Sequence, residues 1–164
     1  MEPLPEQKAG AFDERYPDGM DFSWLASDGG GHVAVLVTAG RGPVPSSAFS
    51  RADILAEDHE EFLWEMPKIC DAQLVMPGYE RADFPQLAER GLTVFDWTDM
   101  HRVRDYANAY EVVARPASPV SIDDLPEKLR AVARDLAFPD IRFSEVASFD
   151  PRHWVKTLDA LRQG

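Results

Sequence analysis

The chain is short of most features that announce a function. Cys70 is its only cysteine, so no internal disulfide and no thiolate metal cluster can form. No apolar run approaches the ~20 residues of a membrane-spanning helix. Met1 to Glu6 has neither the basic region nor the apolar core of a secretion signal. A reducing cytoplasm is the compartment these absences predict, with no membrane partner. Basic charge is also scarce: 17 Lys and Arg stand against 29 Asp and Glu, a formal net charge of −12. Direct nucleic-acid binding is therefore not expected, because a phosphate backbone must be met by clustered Lys or Arg. A basic protein partner suits the charge better.

What is present suffices for a core. The 164 residues are 45% hydrophobic and 10% aromatic, which fits one folded domain stable without disulfides. Residues 1–20 carry prolines, glycines and acids without periodicity and read as an irregular lead-in; residues 21–164 read as a single domain. Within it, Phe22, Trp24 and Ala26 alternate with Ser23, Leu25 and Ser27, the period of a strand. Asp28-Gly29-Gly30-Gly31 supplies turn residues that tolerate positive φ, and His32 to Thr38 is rich in β-branched residues. A hairpin follows, with its second strand apolar enough to be central and covered on both faces. Gly40 to Pro45 ends it. These glycines match no phosphate-binding pattern, and no helix start follows them directly.

Asp21-Phe22-Ser23-Trp24, Gly31-His32-Val33-Ala34, Thr38 to Pro45 and Gly91-Leu92-Thr93-Val94-Phe95-Asp96-Trp97 resemble segments of small bacterial immunity proteins associated with polymorphic or contact-dependent toxins. The similar pieces are turn and strand patterns covering a minority of the chain, so no functional residue is carried over. The resemblance implies a non-catalytic protein that binds and neutralises a cognate toxin, with the toxin as its partner and no cofactor.

A helix is predicted from about Ala52 to Met66, started near Ser46, Ser47 or Ser50 and stopped by Pro67. Leu55, His59, Phe62 and Met66 form its core stripe, flanked by Ile54 and Leu63, which makes His59 a core histidine. Asp53, Glu57, Glu60 and Glu61 fall opposite, together with Trp64. Between Ala52 and Pro67 there are acids and no Lys or Arg, so the helix forgoes stabilising i,i+4 ion pairs. An aromatic side chain among carboxylates is what a surface for a basic partner requires, anchoring area with steering charge. Asp53, Glu57, Glu60, Glu61 and Trp64 are the candidate partner-binding residues.

Further elements follow in order. A short strand is expected between Pro67 and Gly78, then a helix near Phe84 to Arg90 with Asp83 as cap and Gly91 just past its end. Leu92 to Trp97 and Ala109 to Arg115 read as strands. A helix starts near Ser121 to Glu127, capped by Asp123 or Asp124, with Leu125, Leu129, Val132, Ala133 and Leu136 as its apolar stripe. Ile141 to Val146 alternates like a strand, and a closing helix is expected near Pro151 to Leu161. This order predicts an α+β domain with a largely antiparallel sheet, a mixed one being compatible, flanked by helices.

Two other function classes remain open. Asp96, Asp99 and His101 at a strand end could serve a small hydrolase or transferase by acid–base chemistry. An exposed sheet edge would instead suit a homo-oligomeric scaffold. No metal site is expected, since Asp99 and His101 offer two local ligands at most and His32, His59 and His153 show no pairing motif.

Overall fold

The computed structural model describes residues 23–38, 42–45, 59–75, 83–97 and 109–153. The expected irregular lead-in and most of the segment expected as a closing helix lie outside them, as do residues 46–58 of the acidic segment. The fold is α+β. Among the described residues seven strands, β1 (Ser23–Asp28), β2 (Val33–Val37), β3 (Ala72–Leu74), β4 (Thr93–Trp97), β5 (Tyr110–Pro116), β6 (Ala137–Phe138) and β7 (Ser148–Phe149), form one sheet. Its order is β3-β5-β4-β2-β1-β6, with β7 beside β5. Among the described residues three α-helices accompany it: α1 (His59–Glu65), α2 (Asp83–Glu89) and α3 (Glu127–Asp135).

The sheet is mixed and mostly antiparallel. β1–β2, β3–β5, β4–β5 and β5–β7 pair antiparallel. β2–β4 and β1–β6 pair parallel. Parallel neighbours need long crossovers, and the chain between β2 and β4 supplies one containing α1, β3 and α2. Opposite the Val94–Phe95 step of β4 the register moves from Ala114 to Val112. Val113 is therefore the extra residue of a β-bulge, and it shares the face of Ala114 rather than alternating with it.

The hairpin register is Ser27↔Val33 to Ser23↔Val37, and β2 is central and buried on both sides as its composition predicts. One core lies under the helices, where Leu25, Val33, Val35, Val94 and Val113 meet Leu63 of α1 and Met66 just past its end, Leu87 of α2 and Leu129 and Val132 of α3. The other face carries Trp24, Leu36, Phe95, Trp97 and Tyr110. Among the described residues irregular chain covers it through Val44, Ile141 and Phe143, joined by Phe138 of β6 and Phe149 of β7. Phe149 meets Phe95 edge-on at 5.2 Å and Phe138 at 5.8 Å, contacts worth about 0.5–1.5 kcal/mol each beyond area burial.

Several predicted elements stand as read: β3, β4, β5 and the buried stripe of α3; α2 also forms, but with Asp83 as its first residue rather than its cap. Gly91 follows α2 with φ +94, and its N–H donates to Ala88 O at 2.9 Å, the left-handed helix exit that glycine favours.

Two further expectations are corrected. The segment at Ser121 first forms a 3-10 turn, Ile122–Asp124, whose cap is Ser121, with Oγ accepting from Asp123 N at 3.2 Å. The α-helix begins only at Glu127, with Pro126 at its cap position, so neither Asp123 nor Asp124 caps it. Ile141 to Val146 is not a strand. Ile141 and Phe143 are buried and Arg142, Ser144 and Glu145 exposed, so the alternation reports burial from Ile141 to Ser144 and fails at Glu145. The backbone groups, however, bond to side chains and to turns. Phe143 N–H donates to Asp28 Oδ2 at 2.7 Å, and Arg115 donates to Phe143 O at 2.7 Å and Val146 O at 2.9 Å. The place beside Tyr110 and Glu111 of β5 is taken by β7.

Candidate functional site

Trp64 stands on the outer side of α1. Leu63 and Met66 are buried and Phe62 partly so, whereas Glu61 and Glu65 are exposed and Trp64 is 37% exposed. The helical period thus sorts this stretch as predicted. Glu60 belongs to α1, but its side chain and that of His59 lie outside the described set. Asp53 and Glu57 lie outside the described residues altogether.

Sequence reading missed the support beneath Trp64. Arg90, just after α2, places its guanidinium carbon 4.8 Å from the centre of the indole ring. It donates from Nε to Met66 O at 2.9 Å, from Nη2 to Trp64 O at 3.4 Å and from Nη1 to Gln86 O at 2.9 Å. One cation therefore satisfies carbonyls at the exits of two helices and stacks on an aromatic ring. Lys128 of α3 similarly lies 5.3 Å from the centre of the Phe62 ring. Cations absent from the local sequence reach the helix through the tertiary fold. They pack against its aromatic rings, leaving Glu61 and Glu65 exposed.

Trp64 also has apolar neighbours along the chain. Among the described residues the exposed large hydrophobic side chains are Trp64, Ile69 at 50% and Val75 at 40%. All three fall in the run from α1 through β3. That run is tied to the end of α2: Ile69 N–H and Cys70 N–H both donate to Glu89 O, at 2.8 and 3.1 Å. Lys68 lies 3.1 Å from Glu89 Oε1. Only the position of Trp64 in the helical period was legible; Ile69 and Val75 sit in a loop and at a strand end, where no periodicity marks exposure.

Of the acid–base candidates, Asp96 is 4% exposed near the end of β4. It lies opposite Glu111 of β5, on the helix-side face, and Glu111 Oε1 is buried without a hydrogen-bond partner among the described residues. Asp99 and His101 lie outside the described residues, so their approach to Asp96 is not defined. Among the described residues no group of three or more His, Cys, Asp or Glu is placed to hold a metal ion. None of their helices is long and apolar enough to cross a membrane.

No family model matches the chain, and neither the curated proteins nor the solved structures include a match.

Proposed function

We propose that this chain is an immunity-type protein that binds a cognate bacterial toxin and occludes its active or substrate-binding surface. The observation that carries the reading is Trp64, 37% exposed between Glu61 and Glu65 and held in place by Arg90. A ring already fixed by stacking loses little side-chain entropy on docking, and neighbouring carboxylates steer a basic surface toward it. A chain with net charge −12 repels nucleic acid but suits the basic cleft of an enzyme that acts on nucleic acid. The resemblance of the hairpin and β4 segments to immunity proteins points the same way.

A second reading, a small hydrolase or transferase, is favoured by Asp96, buried and directly opposite Glu111. Co-expression with the product of the neighbouring gene separates the two. Rescue of growth from a toxic neighbour and co-purification as a stable complex support immunity. A harmless neighbour that does not co-purify removes it and directs attention to Asp96.

A further inference from the structure

β3 is an edge strand, hydrogen-bonded on one side to β5. Two bonds fix its phase: Ala117 N–H donates to Asp71 O, and Val75 N–H to Val113 O, both at 2.9 Å. In an antiparallel ladder, alternate residues exchange bonds with the partner strand. Asp71, Gln73 and Val75 therefore face β5, and the N–H and C=O groups of Ala72 and Leu74 point away from it. Pro116, which has no N–H to give, sits opposite Ala72, as a non-hydrogen-bonded pair allows. Among the described residues nothing bonds to the outward groups of Ala72 and Leu74.

Such an edge is a template for another strand unless charge, proline, a bulge or shortness blunts it; β3 has no charge, proline or bulge, and its three residues limit the template to the outward groups of Ala72 and Leu74. Its surroundings select what can add. Ile69 and Val75 offer exposed apolar area near the edge, and Glu61, Glu65 and Asp71 are exposed in the same run. A second copy of this chain carries the same net charge of −12 and is repelled. A basic segment would be attracted.

We infer that the toxin engages this protein by adding an extended segment, with Lys or Arg alternating with apolar side chains, to the outer edge of β3. This rests on the immunity reading and gives it a binding mode, in which main-chain bonds supply affinity and side chains supply specificity. Strand addition is then a contact in addition to that of Trp64, which no longer forms the whole interface.

The test uses the full chain and the product of the neighbouring gene. Ala72→Pro removes an outward N–H and no bond to β5, a position where an edge strand tolerates proline. It is expected to weaken the complex at least about tenfold while the circular dichroism spectrum is unchanged. Amide exchange provides a check that needs no variant. In the free protein Ala72 and Leu74 exchange fast and Gln73 and Val75 slowly, and binding protects the first two. Unchanged binding by Ala72→Pro, or amides of Ala72 and Leu74 already protected in the free protein, overturns strand addition and leaves the immunity reading intact. A concentration-dependent dimer that Ala72→Pro abolishes also overturns it, since the edge would then be occupied by a second copy. Failure of the wild-type chain to bind the neighbour's product overturns both.

Discussion

Asp28 closes β1 with its carboxylate buried, at 5% exposure, and it holds two parts of the chain together. Oδ1 accepts from Gly30 N and His32 N, both at 2.9 Å, which shapes the hairpin turn. Oδ2 accepts from Phe143 N at 2.7 Å, which fixes the segment that covers the aromatic face. In Asp28→Asn the amide oxygen can keep the turn bonds, but the NH2 group then points at the N–H of Phe143. One charge-assisted bond of about 1.5–3 kcal/mol is lost and a buried donor is stranded, so a destabilisation of about 3 kcal/mol is expected. Asp28→Ala loses all three bonds and is expected to cost about 4–5 kcal/mol. Either is a large share of the ~5–15 kcal/mol that stabilises a domain. Urea unfolding followed by tryptophan fluorescence reads the shift, with the slope unchanged if the denatured state is unaltered. Hydrogen exchange locates it, because Phe143 should lose protection before the residues of β4. An Asp28→Asn protein within about 0.5 kcal/mol of wild type, a typical surface-substitution effect, or one with Phe143 still protected, would refute this account of the buried carboxylate.

Two further outcomes follow from local geometry. Gly91→Ala forces an L-residue to φ +94 and sets its Cβ 2.7 Å from Val120 Cβ, so a loss of about 2–4 kcal/mol in the same assay is expected. Tyr110 accepts from Trp24 Nε1 at 3.1 Å and donates to Pro43 O at 3.0 Å. Burial pushes its phenol far above the ordinary range, the bond from Trp24 opposes this, and Asp96 and Asp150 add to the rise. Below pH ~10 the phenol is protonated in both states; above it the unfolded chain releases the proton and the folded chain keeps it. Stability is therefore expected to fall by about 1.4 kcal/mol per pH unit from this group in the alkaline range. In an ultraviolet titration one of the four tyrosines should stay un-ionised until the protein unfolds, and ionisation of all four in the folded state would contradict this.

The contrast between what the chain disclosed and what it withheld is physical. The hairpin and β4, buried on both faces, were legible from strand-forming composition and turn residues, the α3 stripe because its burial follows the helical period, and Gly91 because a left-handed helix exit is a local demand. The bulge at Val113 was not, since nothing in Glu111-Val112-Val113-Ala114 distinguishes an extra residue from a regular one. Asp28 read only as a turn residue, because its partner Phe143 is far along the chain. Ile141 to Val146 alternates for the reason strands do, yet its backbone partners are Asp28 and Arg115, and periodicity carries no information about partners. At the candidate site, the exposure of Trp64 could be read from helical spacing, but Arg90 beneath it and the open side of β3 arise only when α2 and β5 are brought alongside.

The central claim is that Trp64 anchors a basic partner. A tryptophan offers roughly 150–250 Å² of contact area. The 37% of Trp64 still exposed is then about 60–90 Å², worth about 1.5–2.5 kcal/mol on burial. The most direct measurement is calorimetric titration of the neighbouring gene's product with wild-type protein and with Trp64→Ala, each at low and high salt, with folding of the variant verified separately. The account predicts a dissociation constant raised roughly 10- to 70-fold by Trp64→Ala, and weaker wild-type binding at high salt. Equal affinity for the two proteins, or affinity indifferent to salt, would contradict it.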